Sequence, residues 1–163
     1  MTSSPESDLR AVVARIAPRL RAVEEARTVT RPAPGKWSAK ELLGHLIDSA
    51  SNNHPRFVRA AHEDDLVFEG YDQDQWVAAQ GYLDMPWEAL VGLWESFNLH
   101  LARVMEALPA DVRRRARRVH NFDLVAFRAV PAEEPVTLEY LMADYVVHLE
   151  YHLGQFEARL GDW

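Results

Sequence analysis

The apolar residues of the chain recur at helical spacing in four segments, separated by polar or proline-containing stretches. Spacings of three and four residues place such positions on one face of an α-helix. The first segment runs from Leu9 to Val23, and Pro18 inside it predicts a kink or a break. Together the four segments predict an all-α protein in which each long helix buries one apolar face.

The other three segments carry recognisable start signals. Ser38 and Glu41 have the spacing of a capping box before the second helix, in which Pro55 predicts a bend near Asn52. The third helix follows Pro86, which suits the first turn of a helix. The fourth helix is predicted to start near Thr137 and to end at Gly161.

Two connections, residues 63–85 and 109–136, are longer than loops between bundle helices usually are. The first predicts a short helix over about Gln73–Ala79, and the second leaves room for a short irregular pair of strands. We expect residues 1–163 to form a single four-helix bundle domain with these two long connecting loops.

Composition narrows the possible partners. A hydrophobic fraction of 48% and a net charge of −7 are typical of a soluble globular protein, and they argue against nucleic acid or an anionic membrane as partner. The chain has no apolar run of about 18 residues, and its polar, acidic first residues do not resemble a secretory signal, so we expect a cytoplasmic protein. Without cysteine, metal ligands must be histidine or carboxylate, and any thiol must come from a substrate.

Three of the seven histidines are candidate metal ligands. His148 and His152 lie one helical turn apart on the apolar face of the fourth helix, and His45 is on the inward face of the second. Imidazoles from facing helices can bind zinc, nickel, iron or copper, and three protein ligands leave a coordination position open. The alternative is that these are hydrogen-bonded core histidines. Glu150 points away from the pair, so this is not a zinc-protease motif.

A polar stripe follows His45 along the second helix, formed by Asp48, Asn52 and Arg56. Inward polar groups are costly unless they are paired or used. Asp48 is a candidate acceptor for the second N–H of a metal-bound histidine, and Arg56 is a candidate clamp for a substrate carboxylate. The alternative is that the stripe faces water. A basic run lies in the second long loop, and it is either a solvated helix end or a rim that steers anions: Arg113, Arg114, Arg115, Arg117 and Arg118.

These residues resemble the DinB-like superfamily, and within it the YfiT-like branch of metal-dependent hydrolases and thiol S-transferases. The resemblance rests on three stretches in the same order and spacing: residues 36–41 leading into 44–49 with Asn52 and Arg56, then Tyr71-Asp72 with Trp76, then residues 145–148 with Tyr151-His152. It implies an up-down-down-up four-helix bundle, often a homodimer, with one divalent ion, zinc or nickel, on His45, His148 and His152.

The resemblance also suggests a reaction. Members of known activity transfer or depend on a low-molecular-weight thiol such as bacillithiol, mycothiol or glutathione. We therefore expect a metal-dependent enzyme in which a metal-bound thiolate attacks an electrophilic small molecule. Two alternatives remain open at this point: hydrolysis by metal-bound hydroxide, and a metal-binding stress-response protein without turnover.

Overall fold

The computed structural model describes residues 4–161 and 163. These residues form nine α-helices, with the bounds α1 Pro5–Arg21, α2 Glu25–Thr28, α3 Ala39–Arg59, α4 Gln73–Gln80, α5 Trp87–Ala107, α6 Ala110–Arg114, α7 Phe122–Val125, α8 Leu138–Gly154 and α9 Glu157–Leu160. A short 3₁₀ turn covers Tyr82–Asp84. Strand-like pairing in the described part of the chain is limited to two isolated bridges, of which one joins Arg117 to Val136 in the second long loop.

The four long helices form the bundle that the resemblance implied. Contacts along each pair fix the directions. They are Arg10–Glu106 and Arg21–Glu88 for α1 with α5, and His45–His152 and Phe57–Tyr145 for α3 with α8. For α1 with α8, Arg15 pairs with Glu150, and Arg19, one turn later, bonds to Trp163 beyond the end of α8. The helix α1 is thus antiparallel to α5 and parallel to α8, while α3 is antiparallel to α8. The topology is up-down-down-up.

The predicted helix starts at Ser38 and Thr137 are confirmed. Ser38 and Glu41 form the capping box of α3, with the Glu41 carboxylate 2.8 Å from the Ser38 amide nitrogen. Thr137 accepts from the Tyr140 amide at the start of α8. Of the kink or break expected at Pro18, the break is wrong, because α1 continues to Arg21. Pro18 lies in the last turn, where it removes only one intrahelical hydrogen bond.

The apolar faces meet in one core, in which Trp87 and Trp94 are both buried. The indole nitrogen of Trp87 donates to the carbonyl of Leu20 at the end of α1 over 2.7 Å, so this large side chain also ties two helices together. None of the helices in the described residues combines the length and apolarity needed to cross a lipid bilayer.

A glycine in α3 sets the distance between this helix and the 3₁₀ turn. The Tyr82 ring lies against the backbone at Gly44, where a Cβ would stand only 2.1 Å from a ring carbon. From there the Tyr82 hydroxyl donates to the Asp48 carboxylate over 2.5 Å. Since Asp48 is one turn after Gly44, the missing side chain is what lets the turn dock on α3.

Replacing Gly44 by alanine is expected to destabilise the protein by about 1–3 kcal/mol, because the new methyl group forces the Tyr82 ring out of its place. Urea unfolding measures the change. Gly92→Ala is the matched control: this glycine is inside α5 with open space around it, so alanine should be neutral or stabilise by up to about 1 kcal/mol. Equal effects of the two substitutions would contradict this explanation.

Candidate metal centre

Three imidazole rings from two antiparallel helices meet at one point of the bundle. One ligand atom from each of His45, His148 and His152 lies within 4.8 Å of the other two. The Nε2 atoms of His45 and His148 are 3.4 Å apart, and the ring of His152 is 4.7 Å from that of His45 between centroids. The arrangement follows from helix geometry, since His148 and His152 are one turn apart on α8.

The spacing of these nitrogens fits a bound divalent ion. Zinc–nitrogen bonds of about 2.0–2.1 Å in tetrahedral geometry place two ligand nitrogens about 3.4 Å apart. The buried Nδ1 atoms of His45 and His152 have no hydrogen-bond partner among the described residues. An ion bound by the Nε2 atoms of His45 and His148 would satisfy the two nitrogens that face each other, and it would leave Nδ1 of His45 unpaired.

Burial and mutual proximity keep the three histidine rings in the neutral form. Burial, together with the neighbouring His152 ring, lowers the pKa of His45 to about 3. Burial and the two other rings lower the pKa of His148 to about 3 as well, and burial also lowers the pKa of His152. The three rings are therefore neutral at pH 7, which is the form that binds metal.

Ser49 orients one of the three rings. Its hydroxyl lies 3.4 Å from Nδ1 of His148, whose Nε2 faces His45. A partner on Nδ1 fixes the tautomer and leaves Nε2 free as the ligand atom. Sequence reasoning assigned this kind of support to Asp48 and missed Ser49, although Ser49 lies one turn after His45 and so shares its face of α3.

Ser49→Ala is expected to weaken ion binding by about 10- to 100-fold while leaving one ion per chain at saturation. A competition titration against a chromophoric chelator measures the affinity. Ser51→Ala serves as the control on the same helix, because the Ser51 hydroxyl donates to the Asp48 carbonyl instead of touching a histidine. Unchanged affinity in the Ser49 variant would show that Ser49 does not orient His148.

A cavity of about 240 Å³ opens beside the histidines. On α3 it is lined by Ser49, Asn53 and Arg56, which are spaced by four and three residues along one face. His148 lies at its α8 side, and Tyr71 closes it from the first long loop. Of the three histidines, His148 is the one that lines this cavity, so the cavity adjoins the cluster at that ring.

The segment after α7 forms the apolar wall of this cavity. Phe127 packs edge-on against His148, with 5.3 Å between ring centroids, and it also contacts the Tyr151 ring. The buried carboxylate of Asp144 fixes this segment, because it accepts from the amides of Phe127 and Arg128 at 2.6 and 2.9 Å and from the Arg128 guanidinium at 3.0 Å. The second long loop is thus tied to α8 one turn before His148.

Comparison with known proteins places the chain in a family. A model of the DinB superfamily matches residues 8–156. The chain belongs to the DinB superfamily. A relative from Oceanobacillus iheyensis, whose name assigns it provisionally to the metal-dependent hydrolases, is 23% identical over 132 residues, which cover 79% of this chain and 69% of the relative.

Two solved structures share the fold. YfiT from Bacillus subtilis, described as a probable metal-dependent hydrolase with an unusual four-helix bundle topology, matches with a TM-score of 0.74 at 19% identity over 96% of this chain and 86% of that one. The mycothiol-dependent maleylpyruvate isomerase matches with a TM-score of 0.65 at 12% identity. The match covers 96% of this chain but 59% of that longer protein, so the comparison concerns the bundle alone.

The polar stripe predicted on α3 of this DinB-superfamily chain divides into two faces. The Asp48 carboxylate accepts hydrogen bonds from Gln80 and Tyr82, not from a histidine. Asn52 donates to the Asp48 carbonyl over 2.9 Å, and its neighbour Asn53 is the asparagine that lines the cavity. Of the three stripe residues, Arg56 alone is in the cavity lining.

The remaining histidines and the basic run lie elsewhere. His100 and His62 are exposed, whereas His54 is half-buried, with its Nε2 3.3 Å from Nε2 of His100. His120 is buried and bonds to the Glu134 carbonyl at 2.7 Å. Most of the basic run is engaged in contacts that hold the second long loop, in the pairs Arg113–Glu6, Arg114–Glu139, Arg115–Asp64 and Arg117–Ala60 carbonyl.

Proposed function

We propose that this protein is a divalent-metal-dependent transferase that joins a small exogenous thiol to an electrophilic substrate. The observation that carries the proposal is the three-histidine cluster, which is neutral at pH 7 and of which His148 lines a cavity. His45, His148 and His152 would hold the ion, zinc or nickel, and leave room for a further ligand. When bound, the ion would lower the pKa of a coordinated thiol and so supply a nucleophile near neutral pH.

The side chains around the cluster favour a thiol over water as the nucleophile. Asp144 is the one carboxylate among the residues lining the cavity, and its oxygens are already engaged by Phe127 and Arg128. The cavity lining therefore offers no free carboxylate to act as general base toward a water molecule. A thiol loses its proton much more easily than water does, and it needs no such base.

Aromatic rings around the cluster shield it from solvent. The Trp37 ring lies 4.9 Å from His45, and Tyr151 lies 5.1 Å from His152, between centroids. Phe127 covers His148 in the same way. These rings reduce access of water to the reacting atoms and strengthen the electrostatic interactions there. The exposed edges of Phe127 and Tyr151 give an apolar rim on which a nonpolar electrophile can rest.

The proposal is tested with protein loaded separately with zinc and nickel. Each form is incubated with monochlorobimane and, in turn, cysteine, glutathione, bacillithiol and mycothiol, and the fluorescence of the conjugate gives the rate. We expect at least one thiol to react faster than in the His148→Ala control. Rates equal to that control for every thiol would refute thiol transfer.

Hydrolysis is the second candidate, because two of the similar proteins are described as metal-dependent hydrolases. A panel of p-nitrophenyl esters and anilides, assayed without thiol, separates the two reactions. Metal-dependent release of nitrophenol or nitroaniline that disappears in His148→Ala would favour the hydrolase. Homodimerisation of this chain stays a prediction, as does the choice between zinc and nickel.

A further inference from the structure

Arg56 is a buried cation without a counter-ion. The residue is 7% exposed, and no carboxylate forms an ion pair with it within the described ranges. One terminal nitrogen donates to the Glu69 carbonyl over 2.7 Å, and the guanidinium lies 5.9 Å from the Phe68 ring. These contacts fix the orientation of a group that lines the cavity. A buried charge is costly unless a partner compensates for it, and the cavity beside Arg56 leaves room for an anionic partner.

Tyr71 adds a second donor beside this arginine. Burial, together with the nearby Asp48 charge, raises the pKa of Tyr71 to about 12, while the Arg56 charge and a hydrogen bond with the Ser49 side chain act in the opposite direction. The phenol is therefore protonated at pH 7 and can donate a hydrogen bond into the cavity that both residues line. One cation and one neutral hydroxyl form a donor set for a single negative charge.

We propose that Arg56 and Tyr71 form a carboxylate subsite that holds the electrophilic substrate by a carboxylate group, with its reactive part at the histidine end of the cavity. The substrate class is thus a small organic carboxylate with an apolar body. This inference rests on the proposed function for the identity of the reaction, but the binding site itself does not depend on it.

The shape and charge of the cavity determine this substrate class. The planar fork of a guanidinium matches a carboxylate with two parallel hydrogen bonds, whereas a phosphate dianion calls for more positive charge than one arginine supplies. Arg56 lies seven residues after Ser49, about 10 Å along the axis of α3, and Ser49 touches His148. The wall between the two ends is apolar, and it is formed by residues 124–127 with Leu141.

The test is a binding comparison on the metal-loaded protein, without thiol. Calorimetry compares 4-phenylbutyrate with the neutral 4-phenylbutanamide and with 3-phenylpropylphosphonate. We expect the carboxylate to bind at least about tenfold more tightly than the amide, and more tightly than the phosphonate. Arg56→Met should remove the preference over the amide, and Arg56→Lys should leave a smaller one because a point charge replaces the fork.

Two further variants keep the test decisive if Arg56→Met does not fold. Tyr71→Phe should reduce the carboxylate preference severalfold, and Arg59→Met, which alters an exposed arginine on the same helix, should leave it intact. The inference is overturned by a wild-type protein with no carboxylate preference, by a preference that survives loss of Arg56, or by tighter binding of the phosphonate. Carboxylate binding that depends on Arg56 in a protein without thiol turnover would refute the proposed reaction and keep the subsite.

Discussion

Substitution of His148 by alanine is expected to weaken binding of the divalent ion by about 100- to 1000-fold. Structural zinc sites with four ligands bind with about 10–16 kcal/mol, so one ligand accounts for roughly 3–4 kcal/mol. His148 is also the ring that faces both His45, at 3.4 Å between Nε2 atoms, and the Ser49 hydroxyl. Its loss therefore removes a ligand and the support for the geometry at once. Competition with a chelator of known affinity measures the change.

His54→Ala is the matched control, since His54 is on the same helix as His45 but pairs with His100 away from the cluster. We expect this variant to bind the ion as tightly as the wild type. If His148→Ala retained wild-type affinity, or if His54→Ala lost the ion, the site would have been assigned to the wrong histidines.

Asp144→Ala is expected to lower the stability of the fold by about 2–4 kcal/mol, because it removes a buried carboxylate from three hydrogen bonds with Phe127 and Arg128. Asp144 is 2% exposed, and these donors, which include two backbone amides, lose their acceptor when the carboxylate is removed. The melting temperature should fall by roughly 5–15 °C. The wall of the cavity at Phe127 loses its attachment to α8, so binding of small ligands should weaken as well.

Asp123→Ala tests whether this effect is specific to the buried carboxylate. Asp123 lies on α7, close in sequence to the same wall, but its side chain is exposed. Calorimetry should place its melting temperature within about 2 °C of the wild type. A similar small change in Asp144→Ala would mean that the hydrogen bonds of Asp144 do not hold the segment.

The bundle could be read from the sequence because its signals are local. The capping box at Ser38 and Glu41, the cap at Thr137 and the apolar periodicity each involve residues within one or two turns. The short helix near Gln73 was visible for the same reason, since Asp72 caps it. The helix does not break at Pro18, where the proline removes one hydrogen bond in the last turn and the residues on either side, Ala17 and Leu20, are buried in the core.

The candidate site was only half predictable. Asp48 and Ser49 are three and four residues after His45, so around the helix axis they lie about 60° to one side of it and about 40° to the other. Helical periodicity alone therefore does not show which of the two supports the metal site. Contacts with other elements distinguish the two residues. Tyr82 and Gln80 donate hydrogen bonds to the Asp48 carboxylate, whereas α8 places His148 next to the Ser49 hydroxyl. These partners are far apart in sequence, and their docking depends on long loops that carry no periodic signal.

The carboxylate of Asp144 and the apolar wall escaped sequence reasoning for the same reason. In the sequence Asp144 looks like an ordinary polar residue of α8. Its carboxylate becomes an acceptor for the Phe127 and Arg128 amides only when that segment packs against α8. Arg56, in contrast, was recognised as a candidate carboxylate clamp, because its spacing from His45 placed it on the inward side of α3.

A crystal structure of the zinc-loaded protein, with anomalous scattering recorded on both sides of the zinc absorption edge, tests the central claim most directly. We expect one anomalous peak per chain, about 2.0–2.1 Å from one ring nitrogen each of His45, His148 and His152, with the remaining coordination open toward the cavity. A peak on other residues, such as His54 with His100, or no peak at the three-histidine cluster, would contradict the account.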